Sequence, residues 1–169
     1  MIDIEKLKNR INKTIKIFYK NDLFLVKNKA NERSMTHKLA EYIQKKFPEY
    51  NVDCEYNRMK KDENMNDSEY FSKKLGLSKK QIDSYDTDAT TVYPDIIIHD
   101  RGNNKHNLLV IEVKKDSSST QEAEDFDIKK IKAYIKDKKL GYDYGLFLKL
   151  FENHNETLKN LGWYTKNKE

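Results

Sequence analysis

Two short runs of apolar, largely β-branched residues constrain the fold of this chain more than any other feature. They cover residues 92–98 and 108–114, and a polar link that carries Gly and Asn joins them. Because Gly and Asn tolerate turn geometry, the pattern predicts a β-hairpin. If the midpoint of the turn lies between residues 103 and 104, Asp95 faces Glu112 across the two strands.

The predicted hairpin brings two carboxylates and a lysine to one face. Side chains alternate across a strand, so Glu112 and Lys114 project together, and Asp95 shares their face. Carboxylates are rare in apolar strands unless they have a partner, because an unpaired buried charge is costly. Two accounts stay open: an ion pair of Lys114 with Asp95 or Glu112, and a set of oxygen ligands for a hard cation such as Mg²⁺.

The segments Pro94-Asp95 and Glu112-Val113-Lys114 resemble the signature of the PD-(D/E)xK nuclease superfamily, which has the restriction-endonuclease-like fold. The resemblance implies an α/β protein with an αβββαβ core, in which helices flank a central mixed sheet. It implies a Mg²⁺-dependent phosphodiesterase, a deoxyribonuclease-like hydrolase in which Mn²⁺ can substitute. It also implies that Asp95, Glu112 and the Val113 carbonyl bind the metal, while Lys114 positions the attacking water or helps to deprotonate it.

A further acidic candidate, Glu32, lies at the head of a predicted helix. The apolar stripe that this helix turns to the core consists of Met35, Leu39, Ile43 and Phe47. An acidic residue also suits the first turn of a helix capped by Asn31, because the helix dipole favours negative charge there. The two accounts are equal on local grounds. The resemblance favours a catalytic Glu32 that belongs to the metal site, since many superfamily members carry a glutamate on their first helix. It implies that Glu32 orients the water shell of the metal or supports a second ion.

Four basic residues are candidate nucleic-acid contacts. Arg33 and His37 lie on the neighbouring face of the Glu32 helix, where either could touch phosphate or the Glu32 carboxylate. Lys130 and Lys132 lie near the middle of a later predicted helix. A structural role is the commoner one for a helix histidine, and a net charge of +5 fits a polyanion-binding surface without requiring one.

Helical and strand periodicities predict the remaining elements. They are a helix over 4–18, a connector over 21–30, a strand over 51–57, a helix from a Ser119–Glu122 capping box to about Lys139, a strand over 143–150 and a short strand near Trp163. A polar, charge-balanced insertion at about 58–90 is either a substrate-selecting lid or packing between strands. The length of 169 residues suits a single domain, 1–169.

Composition limits the compartment and the class of partner. The single cysteine, Cys54, excludes an intrachain disulfide and a Cys-based zinc site, and it fits a reducing compartment. No apolar run reaches membrane-spanning length and the amino terminus lacks a signal-peptide core, so a cytoplasmic protein is expected. The expected partner is nucleic acid, above all DNA, and two nearby cuts would require a homodimer or paired encounters. A non-catalytic nucleic-acid-binding or assembly module, and an interaction protein with an ion-paired hairpin, are the alternatives.

Overall fold

The computed structural model describes residues 2–28, 30–55, 93–102, 106–138 and 140–166. In this part of the chain, a five-stranded mixed sheet carries helices on both of its faces. The helices are α1 (Ile4–Lys27), α2 (Glu32–Lys46), α3 (Gln121–Lys136) and α4 (His154–Lys159); the strands are β1 (Asn51–Cys54), β2 (Ile96–His99), β3 (Leu109–Lys115), β4 (Tyr144–Leu150) and β5 (Gly162–Thr165). The predicted insertion at 58–90 lies outside these ranges. Within them, no helix combines the length and the apolar character needed to cross a membrane.

The strands lie in the order β1-β2-β3-β4-β5, and only the β3–β4 pair is parallel. The helix α3 makes the crossover that a parallel pair requires. The predicted β2–β3 hairpin is confirmed together with its register, since Ile96 faces Ile111 and Ile98 faces Leu109. If the register is continued by one residue beyond the Ile96–Ile111 pair, Asp95 lies opposite Glu112.

Two apolar clusters lie on opposite faces of the sheet. The larger one joins α1 and α2 to the sheet, and it includes the predicted stripe Met35, Leu39, Ile43 and Phe47, all of which are buried. The smaller one joins α3 to the other face through Ile97, Val110, Ile131 and Phe147. Because side chains alternate along β3, Glu112 lies on the same face as Val110 and therefore points toward α3.

Three predicted helix boundaries are wrong, and the strand predicted over 51–57 ends at Cys54. The connector at 21–30 is largely helical, because α1 continues through a non-helical residue at Asp22 and buries Val26 in the core. The helix α3 is capped by Thr120, whose hydroxyl accepts a hydrogen bond from the Ala123 amide at 3.3 Å, and not by the predicted capping box. A 3₁₀ turn at Asp116–Ser118 precedes it and delays the start of the helix by one residue. The helix also ends at Lys136, earlier than predicted.

The helix α3 approaches β4 so closely that Gly145 has no space for a side chain. A Cβ atom at Gly145 would lie 2.2 Å from Cγ2 of Ile131. We therefore expect Gly145→Ala to lower the free energy of unfolding by about 2 kcal/mol in urea denaturation, because overpacking displaces α3. Ile131→Ala removes the obstructing methyl group, so the double variant should lose less stability than the sum of the single variants. Strict additivity would show that this clash is not the cause.

Candidate active site

Six ionisable residues meet beside the carboxyl end of β3. They come from the central hairpin and from helices on both faces of the sheet. Asp95 directly precedes β2, Glu112 and Lys114 belong to β3, and Glu32 is the first residue of α2. Asp127 and Lys130 come from α3, which crosses over this part of the sheet. We call this group the charged cluster: Glu32, Asp95, Glu112, Lys114, Asp127 and Lys130.

Glu112 is the most deeply buried member of the cluster, with a side chain 1% exposed. Its Oε2 atom accepts a hydrogen bond from Nζ of Lys130 at 2.8 Å. Its Oε1 atom is buried and has no hydrogen-bond partner within the described residues. An ionised carboxylate in such surroundings needs compensating charge on both oxygens, and here only one oxygen receives it.

Asp127 connects the two lysines of the cluster. Its Oδ1 atom lies 2.9 Å from Nζ of Lys130, and its Oδ2 atom lies 3.1 Å from Nζ of Lys114, an ion-pair distance without hydrogen-bond alignment. The side chain is 4% exposed, so Asp127 is a core residue of the site. Asp127 is not among the site residues predicted from the sequence, where it is one of several acidic residues in the first half of α3. The signal that could have found it is its spacing of one turn from Ile131, which is buried.

Glu32 ties the start of α2 to the end of β3. Its Oε1 atom accepts a hydrogen bond from the Lys115 amide at 3.0 Å, and its Oε2 atom lies 3.4 Å from Nζ of Lys114. The Glu32 side chain is 34% exposed and that of Lys114 21%. Since Glu112 and Asp127 are almost fully buried, the cluster opens to solvent at the end where Glu32 and Lys114 lie.

Asp95 holds the two hairpin strands together at the base of the cluster. Its Oδ2 atom accepts a hydrogen bond from the Val113 amide at 2.6 Å, and the residue as a whole is half-buried. The ion pair expected between Lys114 and Asp95 or Glu112 is not the one that forms. In the described residues Lys114 pairs with Glu32 and Asp127, because α2 and α3 bring these carboxylates to the ammonium group.

Among the described residues the cluster carries an excess of negative charge, since four carboxylates face two ammonium groups. Burial raises the pKa of Asp95 to about 6. Burial and the neighbouring carboxylates of Asp95 and Asp127 likewise raise the pKa of Glu112 well above its ordinary value, against the opposing effect of Lys130. Burial lowers the pKa of Lys130, but the surrounding carboxylates outweigh it and the net shift is upward. The pKa values of Asp95, Glu112 and Lys130 are all raised, so each of these groups binds its proton more tightly than usual. The site therefore favours added positive charge.

Lys114 keeps its proton at neutral pH. Burial lowers its pKa, but the carboxylates of Asp127 and Glu32 outweigh that effect and raise the pKa above the ordinary lysine value. An ammonium group can donate hydrogen bonds and offset negative charge, but it has no lone pair with which to abstract a proton. Of the two roles expected for Lys114, positioning a water fits this charge state, and deprotonating it does not.

The donor atoms of the cluster have the chemistry that Mg²⁺ prefers, since carboxylate and carbonyl oxygens are its usual ligands. As the side chains stand in the described part of the chain, no three His, Cys, Asp or Glu residues are grouped to hold a metal ion. The ammonium group of Lys130 lies against one of the two oxygens of Glu112. The unbonded Oε1 atom of Glu112 is the feature that a cation would satisfy.

The four basic candidates lie in different surroundings. Lys130 is buried and ion-paired with Glu112 and Asp127, so its ammonium group belongs to the cluster, and its assignment as a nucleic-acid contact stays a prediction. Lys132 is exposed and lies over the ring of Tyr164.

Arg33 and His37 are exposed on α2, where they pair with acidic residues other than Glu32. Arg33 Nε lies 3.0 Å from Glu55, and His37 Nε2 lies 3.0 Å from Glu41. Exposed pairs of this kind contribute little stability, so both side chains can exchange their partners for a phosphate at small cost. Their assignment as nucleic-acid contacts stays a prediction.

The raised pKa of Asp95 predicts an unusual pH dependence of stability. The folded-state value of about 6 exceeds the unfolded value of roughly 3.9, so the folded protein binds this proton more tightly and becomes less stable as the pH rises from about 4 to about 6. Asp95→Asn cannot ionise and still offers an oxygen to the Val113 amide. In chelator at pH 7 it should therefore be roughly 2 kcal/mol more stable than the wild type, with a difference that vanishes below about pH 4.

Urea denaturation of both proteins between pH 4 and pH 7 measures this difference. Asp125→Asn, which alters an exposed carboxylate of the same helix as Asp127, is the control and should show no such trend. A stability difference between Asp95→Asn and wild type that stays constant with pH would mean that Asp95 ionises as an ordinary carboxylate.

Comparison with protein-family models, with curated proteins and with solved structures found no match to this chain. The functional proposal therefore rests on the residues of the chain and on the geometry of the charged cluster.

Proposed function

We propose that this protein is a metal-dependent nuclease that hydrolyses phosphodiester bonds of nucleic acid, with DNA as the expected substrate. The observation that carries the proposal is the buried Oε1 atom of Glu112, which has no hydrogen-bond partner in the described ranges and lies in a group of carboxylates that outnumber the ammonium groups described there. A network of structural ion pairs does not require a buried carboxylate in excess of its cations. A site for a divalent cation does require one.

In this proposal Asp95 and Glu112 would hold Mg²⁺ together with the carbonyl oxygen of Val113, and Glu32 would orient the water around it. Mg²⁺, when bound, supplies a water of lowered pKa and offsets charge on the phosphate. The Val113 amide donates a hydrogen bond to Asp95, so the carboxylate just before β2 keeps its place relative to β3. Lys114, at the open end of the cluster, donates hydrogen bonds to the attacking water or to a phosphate oxygen.

We also propose that the fold is the αβββαβ core of the restriction-endonuclease-like proteins. The order α2, β1, β2, β3, α3, β4 supports this, with an antiparallel hairpin followed by a parallel crossover. The position of the charged cluster at the end of this hairpin agrees with the residue pattern that carries the resemblance. The helix α1 and the pair α4–β5 are additions to such a core.

A non-catalytic nucleic-acid-binding module on the same fold is the second candidate. The contacts of Lys130 with Glu112 and Asp127 favour it, because an internal ammonium group already offsets part of the charge. In that case the cluster stabilises the hairpin and α3 without taking up a metal ion. An interaction protein without nucleic-acid affinity is the third reading, and it predicts no binding to DNA even at low salt.

Two measurements separate these readings. Purified protein with Mg²⁺ or Mn²⁺ should cleave at least one substrate in a panel of linear, circular, branched and single-stranded DNA. Calorimetric titration with Mn²⁺ should show uptake that Asp95→Ala removes. Binding of DNA without cleavage, and without Asp95-dependent uptake, would favour the non-catalytic module and overturn the nuclease proposal.

A further inference from the structure

The ammonium group of Lys130 occupies the position at which the charge of Glu112 is balanced. Its Nζ atom lies 2.8 Å from Oε2 of Glu112, and both side chains are at most 10% exposed. One contact supplies one positive charge to one oxygen, and within the part of the chain that the structure describes Oε1 of Glu112 has no hydrogen-bond partner. A divalent cation carries twice the charge and takes several oxygen ligands, so it suits this carboxylate better than an ammonium group does.

Asp127 is a second ion-pair partner of Lys130. Its Oδ1 atom lies 2.9 Å from Nζ of Lys130, and the two residues are one turn apart on α3. The lysine side chain has a flexible stem of four carbons, so its ammonium group can leave Glu112 and stay paired with Asp127 without a movement of α3. The ring of Phe126, 5.6 Å from Nζ, is a further favourable neighbour on the same helix.

We propose that Lys130 is an internal counter-ion that stands in for a divalent cation at Glu112, and that uptake of the cation displaces its ammonium group toward Asp127. The inference rests on the proposed function in one respect, since the displacing cation is the proposed metal. Metal uptake is then an exchange of one cation for another, and Lys130 sets the affinity of the site. Asp127 is the positioning residue that receives the displaced group.

Removal of the competing ammonium group should tighten metal binding. Lys130→Met keeps the length of the side chain and removes its charge, so the affinity for Mn²⁺ in calorimetry should rise at least about tenfold, because a like charge near the metal is lost. Lys130→Arg keeps the charge and is the matched control, which should bind Mn²⁺ no more tightly than the wild type. Equal or weaker binding by Lys130→Met would overturn the inference.

The methionine variant leaves Glu112 buried without a counter-ion, so its fold needs a separate measurement. If Lys130→Met is unfolded in chelator, recovery of the far-ultraviolet circular dichroism spectrum on addition of Mn²⁺ supports the inference. The double variant Lys130→Met/Glu112→Gln has no buried charge at this position and should fold without responding to Mn²⁺. Persistent unfolding of the single variant in Mn²⁺, with a folded double variant, would contradict the inference.

These experiments distinguish failure of the inference from failure of the nuclease proposal. Asp95-dependent Mn²⁺ uptake by the wild type, with no gain in Lys130→Met, overturns the inference alone. Glu112-dependent uptake by Lys130→Met, with none by the wild type, supports the inference and overturns the nuclease. Absence of uptake by the wild type and by Lys130→Met overturns the inference and the nuclease proposal together.

A crystal of the wild type soaked in Mn²⁺ should show Lys130 paired with Asp127 and separated from Glu112. An intact Lys130–Glu112 contact beside bound Mn²⁺ would refute the displacement.

Discussion

Replacement of Glu112 by Gln should lower the rate of Mg²⁺-dependent DNA hydrolysis at least about 10³-fold, equivalent to roughly 4 kcal/mol in the activation free energy. The amide has the size of the carboxylate and can still accept a hydrogen bond from Lys130, but it lacks the charge that holds a divalent cation. Glu112 is the carboxylate at the buried end of the cluster, and its Oε1 atom has no hydrogen-bond partner among the residues that the structure describes. Single-turnover cleavage of the substrate that the wild type cleaves measures the effect.

The fold of Glu112→Gln should persist, because Lys130 keeps its ion pair with Asp127 and a buried charge is removed. Urea denaturation in chelator checks this expectation. Glu156→Gln, which alters an exposed carboxylate of α4, is the matched control and should retain wild-type rates. Cleavage by folded Glu112→Gln at the wild-type rate would remove Glu112 from the site and the proposed metal with it.

Lys114→Ala should lower kcat at least about 10²-fold, the usual cost of removing one preorganised donor from a site of developing negative charge. Asp127 and Glu32 keep Lys114 protonated and hold its ammonium group at the open end of the cluster. Because it acts as a cation, wild-type kcat should not depend on deprotonation of this lysine, and Lys114→Arg should recover part of the lost rate. Rate measurements from pH 6 to pH 9 test both points.

Lys149 provides the control for Lys114→Ala. It faces Lys114 on the neighbouring strand β4, its side chain is 22% exposed, and it pairs with two carboxylates, those of Asp116 and Glu124. Lys149→Ala should therefore report any general effect of removing a paired lysine from this end of the sheet. Full activity in folded Lys114→Ala, or an equal loss in Lys149→Ala, would contradict a specific role for Lys114.

The sequence by itself determined the hairpin, its register and the face shared by Asp95, Glu112 and Lys114. These features depend on short-range physics, because side chains alternate with a period of two along a strand and a turn sets the pairing of its two strands. The buried stripe of α2 and its Asn31 cap were readable for the same reason. In each case the signal lies within a few residues of the feature that it predicts.

Only the tertiary structure decided which charges the site contains and how they are paired. Asp127 and Lys130 have the spacing of an exposed ion pair on a helix, and the one-turn step from Asp127 to Ile131 is a weak local sign that α3 turns them toward the sheet. Glu32 reaches Lys114 from 82 positions away in the chain. The rotation of α3 is set by packing, since Gly145 admits Ile131 against β4. That packing depends on residues distant in sequence, and it converts two apparently solvated charges into buried partners of Glu112.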